Sequence, residues 1–116
     1  MMSVLGQTLD RIIEGVAQLK EVRKEDLKFG DLVLIKTKNS LYSVYVLEAG
    51  DYLVCGGWFD RKGLSPKKVS IAGCTWGGSI LKADTIAACG LHLEFSNRVI
   101  TTPIQKVYVL SASGKS

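Results

Sequence analysis

Proline occurs twice and histidine once in the 116 residues. Acidic side chains nearly vanish after residue 60, where Asp84 and Glu94 are the only two. Each scarcity removes a class of explanation. One His and three Cys supply no paired C-x2-C knuckle, so a zinc site is not spelled out along the chain. The G-x-x-x-x-G-K-[ST] loop that cradles phosphates and the G-x-S-x-G elbow of serine hydrolases are both missing; Ser79 stands in WGGSI instead. No two carboxylates stand at a spacing that suggests glycosidase or metal chemistry. Long apolar runs are lacking too. The longest uncharged stretch, Val69 to Leu81, is broken by Gly, Ser and Thr and falls short of the roughly 20 apolar residues of a membrane span.

The start, MMSVLGQTLDRIIEG, has no basic leader and meets Asp10 and Arg11 before any apolar stretch of signal-peptide length. Cys55, Cys74 and Cys89, an odd number, do not make a disulfide framework. Together these features read as a cytoplasmic protein with reduced, buried thiols and no membrane partner.

Against these absences stand 47% hydrophobic residues and a mean hydropathy of +0.18, high enough to suggest that some apolar surface serves self-association. A chain of this length forms one domain and buries roughly 65% of its unfolded surface without a staple. The net charge of +4 is unevenly spread: residues 1–60 hold seven Lys/Arg against nine Asp/Glu, and residues 61–116 hold eight against two. An anionic partner for the second half is one explanation. Compensation by the first half, in cis or across subunits, is the other.

Leu5, Leu9, Ile12, Val16 and Leu19 recur at steps of four and three, with Ile13 widening the stripe, which predicts an amphipathic helix over about residues 3–22. The period then changes to that of strands. Leu32–Thr37, Leu41–Glu48 and Tyr52–Gly56 read as a meander joined by turns at Lys38-Asn39-Ser40 and Ala49-Gly50-Asp51. Further strands are expected at Lys67–Ala72, Ile86–Phe95, Arg98–Thr102 and Ile104–Leu110, with a glycine-rich break at 73–78 and a second break at Pro103. In Ile86–Phe95 the alternation puts Ala87, Cys89, Leu91, Leu93 and Phe95 on one face.

The expected fold is therefore mainly β: a small antiparallel β-barrel, or a two-layer curved sheet, of about six to seven short strands with one N-terminal amphipathic helix. Residues 1–25 form the helix packed on the domain, 29–110 the β domain, and 111–116 a tail without order. Strand should exceed helix about two to one.

Four chemistries have candidate residues in the chain. Cys55, Cys74, Cys89 and His92 add up to a Cys3His zinc set, but the spacing favours three small core residues and one surface imidazole. A Cys/His nucleophile oriented by Asp84 or Glu94 needs an exposed, electropositive thiol, whereas Cys89 and Cys55 follow apolar phases. The glycine pairs 56–57 and 77–78 do not lead into a predicted helix, so they read as positive-φ positions beside the two tryptophans. The fourth is the strongest: Trp58, Phe59, Arg61, Lys62, Lys67 and Lys68 fall in one long loop and mix rings with cations, as single-strand nucleic-acid platforms do, with Trp76 as a further candidate ring. Its alternative is that Trp58 and Phe59 fold over an open barrel end and the cations form a solvated rim. The sequence thus favours a non-enzymatic binding or assembly module, self-associating or docking a protein, with no cofactor and no metal. Nucleic-acid binding through 57–68 is the alternative and a Cys/His enzyme the third.

Overall fold

Alternation decides the architecture. In β2 (Leu32–Thr37) Val33, Ile35 and Thr37 are buried; in β3 (Leu41–Val46) so are Tyr42, Val44 and Val46; in β4 (Asp51–Gly56) so are Tyr52 and Val54. Every second side chain therefore points to one interior. β2 pairs antiparallel with β3, and β3 with β4, in unbroken register: Ile35 faces Tyr42, and Val44 faces Val54. The structure, a computed structural model, describes residues 16–76 and 80–111. Among these, β1 (Glu21–Arg23), β5 (Lys67–Thr75), β6 (Leu81–Lys82), β7 (Thr85–Ala88), β8 (His92–Phe95), β9 (Ile100–Leu110) and the short helix α1 (Gly57–Arg61) complete the elements, with a 3-10 turn at Lys24–Asp26.

The strand order β4-β3-β2-β9-β8-β5 closes on itself because β5 also pairs with β4, Val54 facing Lys67 and Asp51 facing Ser70. The result is a closed six-stranded antiparallel β-barrel, with β6 as one extra strand on β5. Closure leaves the barrel without open edges and fills its interior with side chains. Outside the barrel order, β1 pairs with β7, and Val22, Ile86 and Ala87 of this ribbon join the same buried cluster. Lys24 ties the ribbon to the barrel by donating from Nζ to the Ile71 carbonyl at 2.8 Å.

Several expectations need correction. The predicted helix does not extend through residues 16–25: Leu19 makes an antiparallel bridge to Val107, and Glu21–Arg23 is a strand. The 3.6-residue period broke down there because a single inward residue, Val22, flanked by charged neighbours, is all that a short strand needs. The earlier part of the predicted helix, residues 1–15, lies outside the described residues, as do residues 112–116 of the expected tail. Helix is consequently far scarcer than one part in three among the described residues, α1 being five residues long. The expected strand Ile86–Phe95 is two strands, because Gly90 takes φ +90° and turns the chain between β7 and β8. Pro103 does not interrupt β9. Its missing N–H is tolerated beside a register shift in the β8 pairing, and its carbonyl accepts from Lys38 N–H at 3.2 Å. β5 runs on through the expected break to Thr75, where Gly73 at φ +144° admits the backbone of β6.

The inward–outward alternation yields a direct stability contrast. Ile35→Ala, at a fully buried interior position, should cost about 2–5 kcal/mol in urea unfolding. Leu41→Ala, outward and 38% exposed on the neighbouring strand, should shift stability by only about 0.5 kcal/mol.

Candidate functional site

The segment between β4 and β5 is built around two glycines. Gly56 has φ +102° and Gly57 φ +46°; a Cβ on the first would strike the Leu41 carbonyl, and on the second the Tyr42 ring. Only glycine permits this tight entry into α1. The Gly56 N–H is held by Asp60 Oδ1 at 3.0 Å and Ser65 Oγ at 3.3 Å, and the Trp58 N–H donates to Tyr42 Oη at 3.2 Å.

This geometry turns Phe59 inward. Its ring is fully buried, 4.9 Å from Phe95 and 6.3 Å from Tyr42 between centroids, both edge-on. Trp58 is half-buried and packs edge-on against Phe59 at 5.2 Å. Phe59 is therefore corrected from a candidate stacking ring to a plug in one barrel mouth, with Trp58 as a partial lid; neither ring offers the two free faces a base platform uses. Of the paired alternatives for this loop, the aromatic lid with a solvated rim matches these positions.

Arg61, Lys62, Lys67 and Lys68 are all exposed, but they do not converge. Consecutive residues of a strand point to opposite faces, so Lys67 and Lys68 diverge. Lys68 lies 3.8 Å from Asp51, and Arg61 donates to Ser40 Oγ at 3.3 Å. Trp76 is far from this group. It follows the other end of β5, and nine residues of strand put roughly 30 Å between it and the α1 end.

The Trp76 region is the one sequence reading underweighted. Trp76 is 57% exposed, Ile80 62% and Leu81 45%, the last on β6. Lys82 Nζ stands 5.9 Å from the Trp76 ring centre and 3.3 Å from Glu21. The available signal was the uncharged run from Val69 to Leu81, of which residues 73–78 read as a glycine-rich break rather than as part of an exposed apolar surface.

Cys74, Cys89 and His92 each engage backbone carbonyls. Cys74 is fully buried and its Sγ lies 3.5 Å from the Ile86 carbonyl; burial pushes its pKa up to about 11. Cys89 reaches the Leu19 and Gln105 carbonyls. Cys55 differs from the expectation of a core residue: it follows the outward phase of Leu53, opposite Ser43, and is partly exposed. His92 Nδ1 lies 2.8 Å from the Thr101 carbonyl. Cys55, Cys74 and Cys89 are free, and the described residues hold no cluster of three metal-ligating side chains. No helix among them is long and apolar enough to cross a membrane.

Two outcomes follow. Phe59→Ala should lose about 3–5 kcal/mol of stability and Trp58→Ala less, both read by thermal melts. For Cys74, the raised folded pKa means that the unfolded chain releases this proton first as pH rises above 9.0, the ordinary thiol value, so stability should decline between there and about pH 11. Burial raises the Tyr52 pKa as well, extending the loss in the same direction. A Cys74→Ala variant should show a flatter melting temperature over that window, and an equally steep one would exclude the thiol as the cause.

No protein-family model, no curated protein and no solved structure matches this chain.

Proposed function

We propose that the chain is a non-enzymatic binding module that assembles with copies of itself through the β5–β6 edge. One observation carries the reading: Trp76, Ile80 and Leu81 are 57%, 62% and 45% exposed within six positions of sequence. Large apolar side chains gathered on a surface mark contact sites, and tryptophan is the residue most enriched among the few that dominate binding energy. The location supports this, since β6 ends the seven-stranded order and presents an edge that barrel closure leaves over. A two-fold contact would set this hairpin against its own copy, burying both tryptophans together. The non-enzymatic part is supported by the chemistry of the candidate nucleophiles, a buried Cys74 with raised pKa and a His92 whose Nδ1 is engaged by a backbone carbonyl.

A second reading, an anionic polymer at the α1 end, is favoured by one fact: Arg61, Lys62 and Lys67 are exposed and take part in no ion pair among the described residues. It predicts binding to single-stranded DNA or RNA that weakens steeply with salt and is lost on replacing all three by alanine.

Sedimentation over a concentration series tests the assembly reading. The wild-type chain should dimerise, and Trp76→Ser with Leu81→Ser should weaken the dimer by about 2 kcal/mol or more, roughly thirtyfold, with an unchanged melting temperature. A wild-type chain that stays monomeric at high micromolar concentration would overturn it.

A further inference from the structure

One pairing in the barrel wall works against the sheet. Lys36 of β2 stands directly opposite Lys106 of β9, and both are exposed. Like charges in register across an antiparallel pair destabilise it, and no ion pair among the described residues relieves either lysine. Lys36 Nζ donates instead to the neutral Thr37 carbonyl at 3.1 Å. The backbone adds to the crowding. Lys36 and Thr37 are partnered by Lys106 and Ile104, so the register slips here and Gln105 is an extra residue on β9. Ile104 and Val107 are buried while Gln105 and Lys106 between them are exposed; the bulge presents two consecutive side chains to the outside. Further cations stand at the same end of β2. Lys38 is exposed, its N–H tied to the Pro103 carbonyl beside the bulge, and Arg61 is held at the β2–β3 turn by Ser40 Oγ.

We propose that Lys36, Lys38, Lys106 and Arg61 form a track for the phosphodiester backbone of a single-stranded nucleic acid, with Gln105 as an amide donor beside it. The track rests on the reading of the α1 end as an anion surface and carries the contact over the β2–β3 turn onto the β2–β9 wall. A bound phosphate supplies the opposite charge that the Lys36–Lys106 pairing lacks. Cations on the outside of a barrel enclose nothing, so a single small anion meets only part of the set, whereas a polymer with a charge on every unit meets all of it. Apolar surface lies alongside. Leu41, opposite Lys36 on β3, is 38% exposed, and half-buried Tyr108 shares the outward face with Lys106. Such side chains suit unpaired bases, which offer their faces for contact, better than a duplex that keeps its bases stacked inside.

Fluorescence anisotropy with a labelled oligo(dT) strand over a salt series tests the track. Wild-type affinity should fall with a log–log slope of about −3, near 0.7 for each neutralised phosphate. Lys36→Gln with Lys106→Gln should flatten the slope by about 1.4 and weaken low-salt binding about tenfold, while melting no lower than wild type because the opposed charges are gone. Arginine at both positions keeps the charge and should keep the slope. An unchanged slope in the glutamine variant would overturn the proposal, as would an equal loss in the arginine variant or tighter binding of the matching duplex. Alanine at Arg61, Lys62 and Lys67 judges the α1 reading separately. Binding lost there but intact in the glutamine variant would leave that reading standing and remove this one; no binding by the wild-type chain at low salt would remove both.

Discussion

A closed six-stranded barrel has a mouth that must be stopped, and in this chain the stopper is Phe59. The ring reaches the interior only because Gly56 and Gly57 bring the backbone against Leu41 and Tyr42, closer than any side chain would allow. Tyr42 serves twice, receiving the edge of the Phe59 ring and accepting the Trp58 N–H. Phe95, from the opposite wall, completes the aromatic group at 4.9 Å from Phe59 and 5.9 Å from Tyr42. β3, β8 and α1 are thus fixed by one cluster, and the β4–β5 pairing that closes the barrel runs on either side of the segment carrying it. The loop's cations are displaced to the outside as a consequence: once both rings turn inward, Arg61 and Lys62 have nowhere else to go.

In the meander the fold was legible residue by residue. β2 matches its expected limits, and β3 and β4 differ only at their ends, because alternation and turn residues agree there. The failures share a cause, namely that local pattern is ambiguous when tertiary contacts choose. Gly90 splits an unbroken alternation because β7 turns aside to pair with β1, with the Gly90 N–H donating to the Ile104 carbonyl instead of continuing a ladder. Pro103 was read as a stop, yet it sits where its nitrogen has no required partner. Val22 fits a helical stripe and a strand equally well, and the bridge from Leu19 to Val107 decides for the strand.

The candidate site was legible in kind but not in place. Trp58 and Phe59 next to cations look alike whether the rings face a ligand or a core; only the glycine contacts with Tyr42 separate the cases. Exposed Trp76, Ile80 and Leu81 lie in and just after the other glycine-rich stretch, which reads in sequence as a break between strands with Trp76 as a candidate ring. β2 did carry a sign of burial on both sides. Leu32, Val33, Leu34 and Ile35 form a continuous apolar run, the pattern of a strand covered on two faces, rather than the alternation of a strand with one face in water.

The charge asymmetry between the two halves has a topological origin. Closure sets first-half strands against second-half strands, and two of the ion pairs cross that division: Lys68 with Asp51 at the β4–β5 seam, and Lys82 with Glu21 beside β6. Each pair is solvent-exposed and contributes little energy singly, so the effect is on distribution rather than on stability. Asp51 and Glu21 quench cations at these seams, whereas Arg61, Lys62 and Lys67 at the α1 end take part in no ion pair among the described residues. The apolar surplus is left elsewhere, on the outer face of β2 and at the β5–β6 edge. A molecule organised in this way separates its contacts. The exposed apolar side chains Trp76 and Leu81 stand at one end of β5, and the exposed cations Arg61, Lys62 and Lys67 at the other.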